Sequence, residues 1–153
     1  MSTTKTIASG FLKRKEKLFN QHLEQIDSFH FSVEYSLLVE EFIRTLAGSK
    51  KYKFILASAG SFSRRELSPY SDIDLIFIAN SVEENEKDIS DLVKIFWDSG
   101  IEVSHTVRDF NDIDKYLLAD LHTFTQFFET RYLLGSNTIY NNWNKSLLST
   151  LTD

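Results

Sequence analysis

Phe54 to Ala79 reads FILASAGSFSRRELSPYSDIDLIFIA, and the rest of the 153-residue chain is arranged around it. Phe54 to Ala57 is a short apolar run of the kind that forms a buried strand. A small, polar, basic loop around Gly60 and Ser61 follows. A second strand then starts with Asp72 and Asp74 and continues as Leu75-Ile76-Phe77-Ile78. Residues two apart on a strand share a face, so Asp72 and Asp74 project together while Ile73, Leu75 and Phe77 face the other way. Two neighbouring carboxylates repel, and a cation between them relieves the repulsion; hard divalent ions such as Mg²⁺ favour such oxygen ligands. Taken alone, D-x-D is also the pattern of a turn with two solvated acids. The Gly60-Ser61 loop, with Arg64 and Arg65 between it and the acids, favours the cation-binding reading.

Composition narrows the classes. The length suits one domain with an ordinary core, and 42% hydrophobic and 25% charged residues are the proportions of a soluble globular protein. A net charge of −5 argues against broad nucleic-acid binding through a basic surface, while leaving room for a local basic pocket. With no cysteine there are no disulfides and no thiolate metal sites, which fits a reducing cytoplasm. The N-terminus is polar and lacks the apolar core of a signal peptide. No apolar run approaches the roughly eighteen residues of a membrane span. The expectation is a cytoplasmic protein without a membrane partner.

Along the chain, residues 1–8 read as a frayed tail. Ser9 to Asp27 has helical periodicity, with Leu12, Phe19, Leu23 and Ile26 on one stripe and Lys13, Arg14, Lys15 and Lys17 making a basic, solvated side. Ser32 is placed to cap a second helix, Val33 to Leu46, which Gly48 ends. Val82 to Ser99 reads as an amphipathic helix buried through Ile89, Leu92, Val93 and Phe96. The acids Glu83, Glu84, Glu86 and Asp88 suit the positive end of its dipole. Gly100 stops it, and Ile101 to Val107 alternates as a strand. Asn111 to Ala119 and Asp120 to Leu134 read as helices, with Leu117, Leu121, Phe124 and Phe128 as a core stripe and Asp120 as a cap. A short helix is expected around Asn141 to Leu148.

Gly60-Ser61-Phe62-Ser63-Arg64-Arg65-Glu66-Leu67-Ser68-Pro69-Tyr70-Ser71-Asp72-Ile73-Asp74-Leu75 resembles the G-S/G-x-G-R-x-E-L-x-P-x-S-D-I-D-L signature of polymerase-β-type nucleotidyltransferases. Within that superfamily the chain is most similar to the N-terminal catalytic domain of bacterial PII uridylyltransferases. The likeness continues through Trp97 to Arg108, Ala119-Asp120-Leu121-His122-Thr123 and Glu129 to Gly135, and so covers about residues 54 to 135. One position departs from it: the second loop glycine of the family is Ser63 here, and a Cβ restricts how closely backbone can approach a triphosphate.

The resemblance implies an α/β (α+β) nucleotidyltransferase fold. This is a small, mixed, twisted sheet at least three strands wide, with helices packed on one face and the Asp72 and Asp74 face open to a cleft. It divides the chain into an N-terminal helical segment, 1–50, a catalytic core, 51–135, and a C-terminal helical tail, 136–153, in one structural domain. Two expectations stay open for the ends: a natural minimal protein, or a piece cut at a domain edge of a longer one. The implied reaction moves a nucleoside monophosphate, UMP by the resemblance, from a nucleoside triphosphate to a hydroxyl of a protein acceptor such as a PII-like signal protein. Two Mg²⁺ ions are expected on Asp72 and Asp74. Gly60 and Ser61 would approach the β- and γ-phosphates. Arg64, and less directly Arg65, would add charge-assisted hydrogen bonds. The superfamily's third carboxylate falls on Glu102, with Ser104 two residues on sharing its face, and His105 reads as a structural histidine on the other face. Two alternatives stand beside this: a non-catalytic nucleotide-binding or regulatory domain, and a minimal antitoxin-type transferase that modifies a partner protein with AMP.

Overall fold

The computed structural model describes residues 3–24, 27–113, 115 and 121–150. Its sheet is built around β1 (Phe54–Ser58), whose five residues are all buried. A strand covered on both faces needs an unbroken apolar run, and FILAS supplies it. β2 (Ile73–Ala79) lies antiparallel on one edge of β1, with Ser58 opposite Leu75 and Phe54 opposite Ala79. β3 (Val103–Asp109) runs parallel to β2, and β4 (Arg131–Gly135) runs antiparallel to the other edge of β1. The order is β3-β2-β1-β4. This is the mixed α/β sheet expected, one strand wider than the three read from the sequence.

Helices α1 (Thr3–Glu24) and α2 (Ser28–Ala47) form a hairpin over one face. Phe11 and Phe42 stack with centroids 4.0 Å apart, and the Arg14 guanidinium forks onto Glu41 at 2.6 and 2.8 Å. Buried on α1 are Phe11 and Leu18; of the expected stripe Phe19 packs on the core, against Phe31 and Tyr35, whereas Leu12 is half exposed, so the stripe is centred one residue earlier than expected while keeping Phe19. Ile26, also on that expected stripe, lies outside the described residues. The cap of α2 is Asp27, whose Oδ1 accepts from the His30 amide at 2.9 Å. Ser32, expected as the cap, is inside the helix and its hydroxyl donates back to the Ser28 carbonyl. α4 (Val82–Asp98) crosses from β2 to β3 and adds Ile89, Leu92, Val93 and Phe96 to the same core. Its C-terminus closes by Gly100 N–H to Trp97 O and Ile101 N–H to Phe96 O, a Schellman arrangement. That turn consumes Ile101 and delays β3 to Val103, two residues later than expected.

The other face carries a second cluster. Ile55, Ile76 and Ile78 pack there against Phe127 of α5 (Leu121–Phe128) and Ile139, Trp143 and Leu147 of α6 (Asn137–Thr150). Helices therefore cover both faces, where one was expected, and Asp74, on the face of Ile76 and Ile78, is half-buried. The long helix expected from Asp120 to Leu134 is in fact α5 followed by β4. The second edge of β1 needs partners for its backbone groups, and Tyr132 to Leu134 supply them. Leu117, Ala119 and Asp120, with the cap expected there, lie outside the described residues. The helices expected at Ser9 and around Asn141 to Leu148 begin earlier, at Thr3 and Asn137. Among the described residues no helix is long and apolar enough to cross a membrane.

β4 is joined to the helical hairpin through Glu40 on α2. The Glu40 carboxylate is nearly buried and takes hydrogen bonds from Arg44 at 3.0 Å and from Arg131, with Arg65 at 3.8 Å. Burial pushes this carboxyl up, but the hydrogen bonds from Arg44 and Arg131 together outweigh it, so its pKa falls below the ordinary value.

Two outcomes follow from this architecture. Gly135 sits at φ +109°, and a Cβ there would stand 2.0 Å from the Phe54 carbonyl oxygen. Gly135→Ala should cost at least about 2 kcal/mol in urea unfolding; unchanged stability would mean that β4 can move off β1 freely. A carboxyl with a depressed folded pKa stabilises above its unfolded value, and that stabilisation is lost as the pH falls through the folded one. The melting temperature of the wild type should therefore exceed that of Glu40→Gln near neutral pH. The gap should close in acid below the ordinary glutamate value of 4.5. A gap of the same size at both pH values would rule out the ion pairs as its source.

Candidate active site

At the end of β1 the backbone is still extended, and the Ala59 amide donates to the Asp74 carbonyl at 3.0 Å. The chain then turns sharply at Gly60, φ +54°, into the single turn α3 (Gly60–Ser63). The turn packs on the next strand: a Cβ on Gly60 would lie 3.0 Å from Asp74 Oδ2. Absence of a side chain at 60 is what lets the Asp74 carboxylate sit against the loop. Ser63, the residue in place of the second glycine, has its hydroxyl donating to Gly60 O at 2.8 Å. Among the described residues the non-glycine residue with positive φ is Arg65, at 60°, so the backbone at Ser63 does not itself require glycine. The turn is finished by Glu66 N–H to Ser61 O at 2.8 Å.

Asp74 is half-buried, and Asp72, one residue before β2, is exposed. The parallel register pairs Ile73 with Val103 and Asp74 with Ser104. Continued one step, it sets Glu102 beside Asp72, each just ahead of its strand. Asp72 and Glu102 line one cleft of about 320 Å³, together with Phe11, Lys15, Tyr35 and Tyr70. Asp74 is not part of that lining and stands instead at Gly60. Among the described residues no three His, Asp or Glu side chains are close enough together to hold a metal ion. None of the described cations forms an ion pair with Asp72 or Glu102. Exposed, unneutralised oxygen donors of this kind fit a hard divalent ion, which is commonly held by one or two carboxylates with water and phosphate oxygens completing the shell.

The two loop arginines diverge. Arg64 donates to Glu66 at 2.8 Å and to Glu129 at 2.6 Å. The hydrogen bond to Glu66, with the charges of Glu129 and Glu66, holds its pKa above the ordinary value. Arg65 turns the other way, toward Glu40. His105 is half-buried and packs edge-on against Phe77 and Trp97, with centroids 5.9 and 6.1 Å away.

Three residues at or beside the site escaped the sequence reading. Lys15, expected on a solvated helix side, has its ammonium 5.3 Å from the Phe19 ring centroid and 5.5 Å from that of Tyr35, and lines the cleft with Asp72. Its place four after Phe11 and three before Leu18 would have put it on the buried stripe, had the stripe been set one residue earlier. Tyr70, 96% exposed, carries no periodic signal. Arg131 donates from Nε to Ser63 O at 3.0 Å and from a terminal nitrogen to Phe62 O at 3.1 Å, across 68 and 69 residues of sequence.

No family model matches the chain. Individual relatives do. The chain is 37% identical over 81 residues, 53% of its length, to the bifunctional uridylyltransferase/uridylyl-removing enzyme of Hydrogenovibrio crunogenus, of which it covers 9%. Identity to the Bordetella pertussis enzyme of the same name is 32% over 98 residues, 63% of the chain and 11% of that protein. With the Haemophilus influenzae enzyme, the match extends over 92% of the chain and 18% of the relative at 26% identity. The chain thus spans between 9% and 18% of these relatives' length. Matches of this extent make the chain a relative of the bifunctional uridylyltransferase/uridylyl-removing enzymes.

Proposed function

We propose that the chain is a metal-dependent nucleotidyltransferase that moves UMP from UTP to a hydroxyl of a protein acceptor such as a PII-like signal protein. One observation carries the reading: the Gly60 turn packs directly on the Asp74 carboxylate, while Asp72, two residues earlier, stays exposed to solvent. A loop that can meet a triphosphate and an acid that can meet its cation are thereby brought together. The names of the relatives supply uridylyl transfer as the chemistry.

In the reaction the acceptor oxygen forms a bond to the α-phosphorus, the bond from that phosphorus to the bridging oxygen breaks, and pyrophosphate leaves with the electron pair. The acceptor proton passes to solvent. Asp72 and Asp74 would hold Mg²⁺, with Glu102 beside Asp72 as the further acid. When bound, the ions supply charge neutralisation at the attacking and leaving oxygens. Gly60 and Ser61 offer backbone N–H groups and a hydroxyl to the β- and γ-phosphates. Arg64 has a partly exposed guanidinium that can exchange one of its two carboxylates for phosphate, whereas Arg65 is turned to Glu40. Lys15 adds positive charge to the cleft that Asp72 and Glu102 make acidic.

A second reading, a nucleotide-binding regulatory domain without turnover, has one observation in its favour. Asp74 stands at Gly60, outside the cleft that Asp72 and Glu102 line, so among the described residues the three acids do not gather in one place.

Incubation with each labelled nucleoside triphosphate, Mg²⁺ and a PII-like acceptor separates the two. Label on the acceptor from UTP supports transfer; tight Mg²⁺-dependent binding with no label supports the regulatory reading. Asp72→Asn and Asp74→Asn should each abolish the divalent-dependent signal while the melting temperature in EDTA holds or rises, because removing one of two like charges relieves repulsion. A marked fall in that melting temperature would assign the acids a structural role. Arg64→Ala should weaken MgUTP binding by about ten- to a hundredfold, the loss of a charge-assisted contact, with Arg65→Ala much milder. Unchanged titrations for both variants would take the phosphates away from this loop.

A further inference from the structure

We propose that Arg131 is a positioning residue for the phosphate loop: from the first residue of β4 its guanidinium holds the α3 turn, and through it the Gly60 contact with Asp74. The inference rests on the reading of that loop as the triphosphate site. The two carbonyls it grips, Phe62 O and Ser63 O, lie at the end of a one-turn helix; Phe62 O also takes the Arg65 amide at 3.2 Å, so Arg131 shares that acceptor with the turn's own backbone and adds a bond at Ser63 O. Arg131 meets both with separate nitrogens and spends a third on Glu40. Its guanidinium carbon also lies 5.7 Å from the Phe62 ring centroid, and Phe62 is fully buried. The side chain is 24% exposed and Glu40 13%, so the fork is largely shielded from water, where such bonds persist.

The backbone of Arg131 is fixed as firmly as its side chain. It pairs with Ser58, the last residue of β1, and the Ser58 hydroxyl donates to its carbonyl at 3.2 Å. The register of β4 against β1 slips between Leu56 and Ala57, one pair before this one. The end of β1, the start of β4 and the far end of α3 thus meet at one residue, while the near end of α3 meets Asp74. No lysine can replace it: a single ammonium cannot span two carbonyls and a carboxylate in one plane.

The test compares wild type, Arg131→Gln, Arg131→Lys and Leu147→Ala. Leu147 is buried on α6 in the second cluster and is not among the residues that bond the turn, so it serves as a destabilised control. Amide hydrogen exchange is followed at Arg64, Arg65 and Glu66, whose N–H groups close the turn, and MgUTP affinity is titrated in parallel. Exchange at these three amides should accelerate in both Arg131 variants, without matching acceleration in β1 and β2. The dissociation constant for MgUTP should rise by about tenfold or more. Leu147→Ala should lose melting temperature and leave both readouts in place. Loop exchange unchanged in Arg131→Gln overturns the proposal, as does full recovery by Arg131→Lys or an equal effect from Leu147→Ala. If the loop loosens as expected but wild type itself binds no nucleotide, the loop-holding role stands and the proposed function fails.

Discussion

Everything in the fold depends on β1 being hydrogen-bonded on both edges and covered on both faces. Five residues with no exposed side chain have no tolerance for a missing neighbour. The antiparallel pairing with β2 sets the end of β1 beside the beginning of β2, and so the chain leaving Ser58 runs directly into Asp74. The Ala59 bond to the Asp74 carbonyl continues that ladder for one more step before Gly60 breaks away. The loop and the acid meet because two strands pair, with no dedicated device needed. A glycine is required only at the point of closest approach.

The parallel partner on the far edge of β2 works differently. A parallel strand must be reached through a crossover, here α4, and its closing turn decides where β3 begins. Because Ile101 is spent on that turn, β3 starts at Val103 and its register to β2 sets Glu102 against Asp72 and Ser104 against Asp74. Position 104 is where an acid would face Asp74 directly, and the chain has serine there. The acid at 102 instead borders the cleft that Lys15 and Tyr70 enter.

Much of this was legible in the sequence because it is local. The apolar run of β1, the D-x-D start of β2, the amphipathic period of α4 and the glycines after α2 and α4 each carry their own signal within a few residues. What escaped was set by distant contacts. Tyr132-Leu133-Leu134 continues an apolar pattern from α5 and so has the signal of a helix; only the edge of β1 that it pairs with makes it a strand. On α1 the pattern alone does not choose between Phe11 and Leu12, both apolar, and Phe42 across the hairpin selects Phe11, while Phe19 stays on the core. Lys15 moved from a solvent-facing side to the cleft as a consequence. The pairing of Arg131 was undecidable in advance, since Glu40 lies 91 residues away and is one acid among many.

Ser63 shows how such distant contacts bear on a local departure. A second glycine in a phosphate loop can serve two ends, a backbone conformation that a side chain forbids or an approach that a Cβ obstructs. The first does not apply at 63, where φ is not positive. There the serine hydroxyl bonds back to Gly60 and its carbonyl accepts from Arg131, so the residue is bound at both its side chain and its backbone. A loop that has given up glycine's freedom at this point is held from the β4 side by a guanidinium instead. The turn is thus bonded both by its own residues, through Ser63 and Glu66, and by a residue 68 positions downstream.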